Sequence, residues 1–345
     1  MSLLSTSDKV FVAGHRGLVG SALVEVLLSK GCDRIVTRTR AELDFCDQHQ
    51  VANFFAEERP DVVFIAAAKV GGIHANNTYR ADFIYDNLQI QNNLVWSAHR
   101  YGVHRLVFLG SSCIYPRNAP QPIHETSLLS GPLEYTNRPY AIAKIAGLEL
   151  VHSLRLQYGR DYFSVMPTNL FGPRDNFHPE NSHVLPAMVR RFVEARDKSV
   201  EEVVIWGSGT PFREFMFAGD CAQAIVHLAQ TLSKDRLDES VVGDATWSHI
   251  NIGSGDEISI ADLAKLIAEV TGFKGRILFD RSKPDGTPRK LLDTAFLRNA
   301  GWRPSHTFRE RLEQTVAWYE EYRQSSERVT TVMPRNRHER FANRT

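Results

Sequence analysis

The chain has 345 residues, 43% of them hydrophobic and 23% charged, with 41 basic against 40 acidic side chains. A chain of this length buries a large core and favours one large domain or two closely associated ones. The balanced charge gives no general reason to expect a nucleic acid or membrane partner, and no stretch approaches the roughly 18 apolar residues that a membrane span needs.

The cysteines and the amino terminus indicate a cellular compartment. Cys32, Cys46, Cys113 and Cys221 are widely spaced and form no Cys-x-x-Cys pair, so neither a zinc site nor a disulfide framework is predicted. Residues 1–9 are polar and lack the apolar centre of a signal peptide. We therefore expect a cytoplasmic protein without a bound metal.

The first predicted elements form a nucleotide-binding motif. An apolar strand at residues 9–13 runs into Gly14-x-x-Gly17-x-x-Gly20, and a helix follows at residues 21–28. Glycines allow a tight turn and a close backbone approach, while the helix N-terminus supplies N–H groups and a partial positive charge. This strand–turn–helix context predicts that the loop binds the pyrophosphate of a dinucleotide.

The residues after the second strand indicate which dinucleotide is bound. The strand at residues 34–37 is followed by Arg38 and Arg40, where an NAD-specific site would tend to carry an acidic residue. Together with Arg16 in the glycine loop, these arginines favour a 2′-phosphate and therefore NADP(H). The alternative is that Arg38 and Arg40 are solvated surface charges.

Strands and helices continue to alternate along the next part of the chain. A helix at residues 50–59 precedes a strand at 61–68, and a long helix at 86–101 leads to a strand at 105–109. This alternation predicts an α/β fold of the Rossmann type, with a doubly wound parallel sheet. Such sheets bind their ligands at the carboxyl ends of the strands.

A group of polar side chains is expected at one of these strand ends. Ser111 and Cys113 follow the fourth strand, and Tyr140 and Lys144 lie one turn apart on a later helix. There the ammonium could lower the pKa of the phenol, so that hydroxyl, phenol and amine together deliver a proton. On its own, Tyr-x-x-x-Lys more often marks an exposed helix face.

These motifs resemble those of the extended short-chain dehydrogenase/reductases. The matching elements are Gly14-x-x-Gly17-x-x-Gly20, Ser111, Tyr140-x-x-x-Lys144 and Asn169-Leu170-Phe171-Gly172-Pro173. The resemblance covers residues 10–319 and implies a Rossmann domain followed by a smaller α/β substrate domain. It also implies a reaction in which Tyr140 donates a proton, Ser111 binds the carbonyl oxygen, and Lys144 tunes Tyr140 and holds the nicotinamide ribose.

Four longer stretches are similar to one bifunctional group within that family. They are residues 14–20, 111–116, 176–184 and 206–215. The resemblance implies an NADPH-dependent 3,5-epimerase and 4-reductase that converts GDP-4-keto-6-deoxy-D-mannose to GDP-L-fucose. Two alternatives stay open: another NDP-sugar epimerase or dehydratase of the family, which would retain NAD, and a non-catalytic member that senses nucleotides.

Epimerisation next to a ketone requires proton exchange on both faces of the sugar. Cys113 and His183 match the positions of the family's acid/base pair, and both side chains can exchange protons near neutral pH when suitably perturbed. Considered alone, Cys113 would be interpreted as a buried structural thiol. His183 could equally be a capping or surface histidine.

The resemblance also implies sets of residues for the cofactor and the substrate. The cofactor residues are Gly14, His15, Arg16, Gly17, Leu18, Val19, Gly20, Arg40, Leu109, Gly110, Ser111, Ser112, Lys144, Pro167, Thr168, Asn169, Leu170 and His183. The substrate residues are Arg191, Trp206, Arg213, Asp285 and Lys290. Arginines and an aromatic face suit a pyrophosphate and a planar base, although on charge alone each basic residue would be solvated surface.

The chain is expected to divide into two lobes and a tail. Residues 1–175 form the NADP-binding domain, to which residues 214–252 return, while residues 176–213 and 253–324 form the substrate lobe. Residues 325–345 are polar and Arg-rich without apolar periodicity, which predicts a flexible tail.

The expected partners are a GDP-sugar and a second copy of the chain. Helices 86–101 and 140–158 would pair with their copies in a homodimer, as in relatives. One departure from the family pattern is the sequence Phe217-Ala218-Gly219-Asp220. Asp220 is expected to begin a helix there, where a carboxylate favours the positive end of the helix dipole.

Overall fold

A computed structural model describes residues 3–179, 182–234, 249–283 and 285–332. The strands are β1 (Val10–Ala13), β2 (Ile35–Val36), β3 (Val62–Ile65), β4 (Arg105–Leu109), β5 (Asp161–Pro167), β6 (Asn169–Phe171), β7 (Glu202–Trp206), β8 (Phe212–Phe217), β9 (His249–Ile252), β10 (Glu257–Ser259), β11 (Arg276–Asp280) and β12 (Arg289–Lys290). The helices are α1 (Leu18–Ser29), α2 (Gln48–Glu58), α3 (Ile73–Thr78), α4 (Arg80–Arg100), α5 (Arg138–Tyr158), α6 (Val184–Asp197), α7 (Ala218–Thr231), α8 (Ile260–Thr271), α9 (Ala295–Asn299) and α10 (Phe308–Val332). In the described part of the chain, no helix has the length and apolarity to cross a bilayer.

Six parallel strands form the main sheet, in the order β2-β1-β3-β4-β5-β9. Every residue of β1, β3, β4, β5 and β9 is buried, because helices cover both faces of a parallel sheet. The predicted doubly wound Rossmann fold is therefore confirmed. The strand order reverses beside β1, and sheets of this kind bind ligands at such a reversal.

Apolar cores lie on the two faces of this sheet. One contains Leu23 of α1 and Ile225 of α7, and the other contains Phe55 of α2, Leu94 of α4 and Val151 of α5. Helices on both faces hold the strand ends in fixed positions, so the loops that leave the carboxyl ends have a rigid base.

The remaining elements form a smaller lobe. β8 pairs with β10, β12 and β6, and β7 pairs with β11. Helices α6, α8 and α10 surround a third core that includes Val189, Ile267 and Leu312. Of the stretch 214–252, α7 and β9 join the layers of the main sheet, whereas most of β8 lies in this smaller lobe. The division of the chain near residue 175 stays a prediction.

The carboxyl-terminal helix is longer than the sequence indicated. The flexible tail was expected to begin at residue 325, but α10 continues to Val332. Residues 325–332 contain neither glycine nor proline, and the next proline is Pro334, so no helix-breaking residue stops it earlier. The rest of the expected tail, residues 333–345, lies outside the described residues.

Residues 217–220, where the sequence departs from the family pattern, include Asp220, which forms a buried ion pair with Arg311. Asp220 lies in the first turn of α7, as predicted. Both of its carboxylate oxygens accept hydrogen bonds from Arg311 of α10, whose guanidinium also lies 4.6 Å from the centre of the Phe217 ring. Because α7 packs on the main sheet and α10 on the smaller lobe, this pair ties the two lobes together.

Candidate active site

The glycine loop between β1 and α1 leaves space that side chains would fill. Gly14 has a φ of +88°, and a Cβ there would lie 2.7 Å from the backbone nitrogen of Ala67. A Cβ on Gly20 would lie 2.1 Å from the carbonyl oxygen of Gly14. Gly17 caps α1 without a side-chain hydrogen bond, so the first N–H groups of the helix can bind a ligand. The loop fits the pyrophosphate of a dinucleotide.

Three further residues complete this loop. Leu18 and Val19 begin α1, where both are half-buried. The buried Nδ1 atom of His15 has no hydrogen-bond partner in the described part of the chain. Burial lowers the pKa of this imidazole, which keeps it neutral and able to bond a ligand.

The arginines near the loop separate into two kinds. Arg38 forms an ion pair with Glu58, and its guanidinium lies 5.4 Å from the centre of the Phe54 ring. Arg16 and Arg40 are exposed, and neither forms an ion pair with another described residue. Of these three arginines, Arg16 and Arg40 therefore have guanidinium groups available for a phosphate.

The end of β4 delivers the first predicted catalytic groups. Leu109 ends the strand, Gly110 follows, and Ser111 caps a short 3₁₀ turn at Ser112–Ile114. The Ser111 hydroxyl oxygen accepts a hydrogen bond from the backbone nitrogen of Cys113 at 3.4 Å. The turn thus holds the hydroxyl and the thiol side by side at the ligand edge of the sheet.

Helix α5 brings a buried ammonium to the same edge. The Nζ atom of Lys144 donates to the carbonyl oxygen of Leu109 at 2.8 Å. It also lies 5.8 Å from the centre of the Tyr140 ring. Burial lowers the pKa of Lys144 to about 8, and charge on the nearby Cys113 acts in the opposite direction.

The expected effect of Lys144 on the phenol is not found. Burial raises the pKa of Tyr140, and charge on Cys113 raises it further. The prediction that Lys144 lowers this pKa is wrong for the chain alone, because the ammonium donates to the Leu109 carbonyl and is itself weakened by burial. Tyr140 is therefore fully protonated at neutral pH, which is the state that a proton donor needs.

The pKa of Cys113 and the pKa values of several neighbouring side chains depend on one another. Its thiol is free and half-buried, and burial raises its pKa. The charge of Lys290, the hydrogen bond with Ser111 and the charge of Lys144 all act in the opposite direction. In turn, charge on this thiol influences the pKa of Tyr140, Lys144 and Lys290.

His183 reaches the site from the smaller lobe. It is the N-cap residue of α6, but its side chain makes no capping hydrogen bond. Although the imidazole is open to solvent, surrounding protein atoms lower its pKa by desolvation, and the charge of Lys290 lowers it further. The charge of Lys290 thus acts on both His183 and Cys113.

Two predicted substrate residues form an aromatic and cationic surface farther out. Trp206 is 63% exposed, and the guanidinium of Arg191 lies 5.8 Å from the centre of its ring. Lys283 lies 5.6 Å from the same ring. A groove of about 380 Å³ runs beside this surface and is lined in part by Glu194 and Glu202.

Asp285 closes the glycine-containing loop after Trp206. Its Oδ1 accepts from the backbone nitrogen of Ser208 at 2.6 Å, and its Oδ2 accepts from the Ser208 hydroxyl at 2.8 Å. These bonds, followed by the charge of Arg213, hold the pKa of Asp285 below its usual value. Arg213 in turn pairs with Lys290 in the register of β8 and β12, so the outer and inner parts of the site are continuous.

Comparison with known proteins assigns the chain to a family. Residues 10–253 match the model of the NAD dependent epimerase/dehydratase family.

The chain belongs to that family.

Two relatives that are similar over most of their length carry the same enzyme name. The chain is 55% identical over 317 residues to the putative GDP-L-fucose synthase 2 of Arabidopsis thaliana, which covers 92% of this chain and 93% of the relative. It is 53% identical over 314 residues to the GDP-L-fucose synthase of Escherichia coli K12, covering 91% and 97%. An NADP-bound GDP-L-fucose synthetase from Naegleria fowleri has a similar structure, with a TM-score of 0.81 and 28% identity over 94% of this chain and 97% of that one.

As a member of the NAD dependent epimerase/dehydratase family, the chain uses a nicotinamide cofactor. The glycine loop fits its pyrophosphate, as its close backbone contacts indicate. Pro167, Thr168, Asn169 and Leu170, the later residues predicted to contact the cofactor, lie where β5 ends and β6 begins. Because β5 adjoins β4 in the sheet, they lie near the Ser111 turn.

One residue that sequence reasoning missed is a fully buried carboxylate in this family site. Glu214 of β8 accepts hydrogen bonds from the backbone nitrogens of Gly255 at 2.8 Å and Leu292 at 3.1 Å. Its carbonyl oxygen accepts from the Thr168 hydroxyl at 3.3 Å and from Asn169 Nδ2 at 2.9 Å. An acidic residue inside the apolar run of β8 was a signal that could have revealed it.

A second missed group supports the turn that carries Cys113. The hydroxyl of Tyr115 donates to Asn251 Oδ1 at 2.5 Å and lies 3.1 Å from His249 Nε2. The backbone nitrogen of Asn251 donates to Glu125 Oε1 at 2.9 Å. The sequence contained Tyr115 within a recognised motif, but its partners come from β9 and could not be located without the sheet order.

Proposed function

We propose that this chain converts GDP-4-keto-6-deoxy-D-mannose to GDP-L-fucose by 3,5-epimerisation followed by NADPH-dependent reduction of the 4-keto group. The names of its relatives support this reaction. The observation that carries the proposal is the thiol of Cys113 beside Tyr140 and Lys144, because a reductase alone has no use for a second proton-exchanging group there.

The epimerisation residues are Cys113 and His183. The C–H bond beside the ketone breaks, its proton moves to one acid/base group, and the electron pair delocalises onto the carbonyl oxygen as an enolate. The other group returns a proton from the opposite face. Cys113 and His183, on different lobes, suit these two roles, while the hydroxyls of Ser111 and Tyr140 polarise the ketone.

The reduction residues are Ser111, Tyr140 and Lys144. When bound, NADPH supplies a hydride to the carbonyl carbon. Tyr140 is protonated at neutral pH, as a phenol ordinarily is, and burial raises its pKa further. It gives its proton to the developing alkoxide. Ser111 donates to the same oxygen. Lys144, whose ammonium donates to the Leu109 carbonyl, is assigned to hold the nicotinamide ribose.

The choice of NADP(H) rests on Arg16 and Arg40. Both guanidinium groups are exposed at the ends of β1 and β2, where a 2′-phosphate would lie, and an arginine fork matches phosphate oxygens. Replacing both by glutamine should weaken NADPH binding far more than NADH binding.

The GDP end of the substrate is assigned to the outer part of the site. Arg213 faces the pyrophosphate, and Trp206 with Arg191 provides a flat surface for the base. Asp285 and Lys290 complete the site.

The chain is proposed to act as a homodimer. Helices α4 and α5 pack on each other and leave large apolar side chains exposed, among them Tyr85, Trp96, Ile142 and Leu156. A second copy would cover these side chains by pairing the two helices with their own copies.

The test is to incubate the protein with GDP-4-keto-6-deoxy-D-mannose and NADPH, then follow cofactor oxidation and identify the product by mass spectrometry and NMR. Stoichiometric NADPH consumption with formation of GDP-L-fucose is expected. Product without net cofactor consumption would indicate a retained-NAD epimerase or dehydratase instead. Tight NADPH binding without turnover would indicate a nucleotide-sensing protein.

A further inference from the structure

The position of Lys290 is fixed by hydrogen bonds on both sides of its short strand. On one side Lys290 pairs with Arg213 of β8. On the other side the backbone nitrogen of Leu291 donates to Gln121 Oε1 at 2.8 Å, and its carbonyl oxygen accepts from the backbone nitrogen of Ile123 at 2.8 Å. The ammonium therefore extends from a rigid base.

The next residues connect this strand to the turn that carries Cys113. Leu292 packs in one apolar cluster with Ile114 and Tyr115, which directly follow Cys113. In an extended chain, side chains two residues apart point to the same side. Lys290 therefore lies on the side of its strand that faces the Cys113 turn.

The charges around Lys290 agree with this placement. Its ammonium acts on the pKa of both Cys113 and His183, although these two residues belong to different lobes. Burial lowers the pKa of Lys290, and two neighbouring charged residues of β8, Arg213 and Glu214, shift it in opposite directions. Lys290 forms no ion pair with any residue in the described ranges, so its charge is not neutralised by a direct partner.

We propose that the ammonium of Lys290 is a charge shared by the thiol of Cys113 and the imidazole of His183, and that it prepares both groups for proton exchange with the sugar. This role goes beyond the substrate contact expected of Lys290, and it rests on the proposed epimerisation. Lys290 is a positioning residue in this respect, since it acts through the two groups that exchange protons.

The shared charge has a useful chemical consequence. A cation beside Cys113 favours the thiolate, which can accept a proton from the carbon next to the ketone. The same cation beside His183 makes the imidazolium a stronger acid, which can return a proton to the enolate. One ammonium thus promotes proton removal at one group and proton return at the other. The charge of Lys144 also acts on Cys113, but Lys144 belongs to the reduction residues.

The first test measures the thiol directly and needs no turnover. The rate at which iodoacetamide alkylates Cys113 is followed against pH by mass spectrometry of its peptide, in wild type and in Lys290→Gln. Loss of a neighbouring cation should move the alkylation midpoint upward by about one pH unit, which makes alkylation about tenfold slower below the midpoint. Lys290→Arg keeps the charge and should keep the midpoint near that of wild type.

Arg289→Gln is the matched control. It removes a positive charge from the neighbouring residue of the same strand, but Arg289 pairs with Glu257 at 2.8 Å on the exposed side. The control should alkylate Cys113 like wild type. If Lys290→Gln has the same midpoint as Arg289→Gln, Lys290 does not share its charge with Cys113 and the proposal is wrong.

A second measurement addresses His183 and the reaction. NMR titration of labelled histidine, assigned with His183→Gln, should show a higher midpoint for His183 in Lys290→Gln. In heavy water without NADPH, the same variant should exchange substrate hydrogens about tenfold more slowly than Arg289→Gln. A wild type that exchanges no hydrogen would contradict the proposed function, whereas unchanged thiol and imidazole midpoints would contradict only the role of Lys290.

Discussion

The reduction residues and the epimerisation residues are built into the molecule differently. Ser111, Tyr140 and Lys144 come from the end of β4 and from α5, both of which belong to the main sheet and its helices. His183 and Lys290 come from α6 and β12 in the smaller lobe. The groups that carry out reduction therefore come from one lobe, whereas those that carry out epimerisation come from both lobes.

The largest effect should come from Tyr140→Phe. Removing the hydroxyl takes away the proton donor, and general acid catalysis typically contributes about 10²–10⁴ in rate. Reduction of an already epimerised intermediate should fall by that factor, while NADPH affinity by fluorescence titration stays close to wild type. Hydrogen exchange with heavy water should fall much less, since Cys113 and His183 are intact and the Ser111 hydroxyl still polarises the ketone. Equal loss of reduction and of hydrogen exchange would mean that the reduction residues and the epimerisation residues do not act separately.

The reciprocal variant is Cys113→Ser. A serine hydroxyl ionises far less readily than a thiol, so proton exchange at the sugar should slow by about 10²-fold. Reduction of an already epimerised intermediate should continue at close to the wild-type rate. Stopped-flow measurement of NADPH oxidation with that intermediate separates the steps. Full epimerase activity in this variant would show that the thiol has a structural role only.

The difference between residues that come from one lobe and residues that come from both also explains what could be predicted from the sequence. The main sheet and the Ser111, Tyr140 and Lys144 set follow from local signals, because strand periodicity and the one-turn spacing of Tyr140 and Lys144 depend only on nearby residues. The direction of the Tyr140 pKa could not be predicted, since it depends on burial and on which oxygen receives the Lys144 ammonium.

Contacts between lobes were harder to predict. Glu214 is a single acidic residue in an apolar strand, and its partners Thr168, Gly255 and Leu292 are distant in the sequence. The pairing of Asp220 with Arg311 was likewise absent from the local pattern, which indicated only a helix start. Such contacts depend on strand order and domain packing rather than on neighbouring residues.

Glu214→Gln tests the contact between the lobes with a smaller effect. The amide has one acceptor oxygen where the carboxylate has two, so the N–H of Gly255 or of Leu292 would lose its partner, at a cost of about 1–3 kcal/mol. Urea unfolding should show this loss. The KM for the sugar nucleotide should rise severalfold, because Arg213 and Lys290 would shift.

Glu257→Gln is the control for that variant. Glu257 pairs with Glu214 in the register of β10 and β8, but its carboxylate contacts the exposed Arg289, and exposed ion pairs contribute little. It should unfold like wild type. If Glu214→Gln also unfolds like wild type and keeps its KM, the buried carboxylate does not hold the lobes together.

The pH dependence of the two activities should give the smallest separation, about twofold at pH 8 and about tenfold at pH 9. Burial lowers the pKa of Lys144 to about 8, so its charge is lost as the pH rises through 8, and single-turnover reduction should slow. Burial raises the pKa of Cys113, so its thiolate fraction still increases in this range, and hydrogen exchange should rise. The unfolded chain keeps the Lys144 proton up to about pH 10.5, whereas the folded chain releases it near pH 8. The contribution of this lysine to the free energy of unfolding should therefore increase as the pH rises from about 8 to 10.5. Parallel loss of reduction and exchange above pH 8 would show that the two sets titrate as one unit, despite their origin in different lobes.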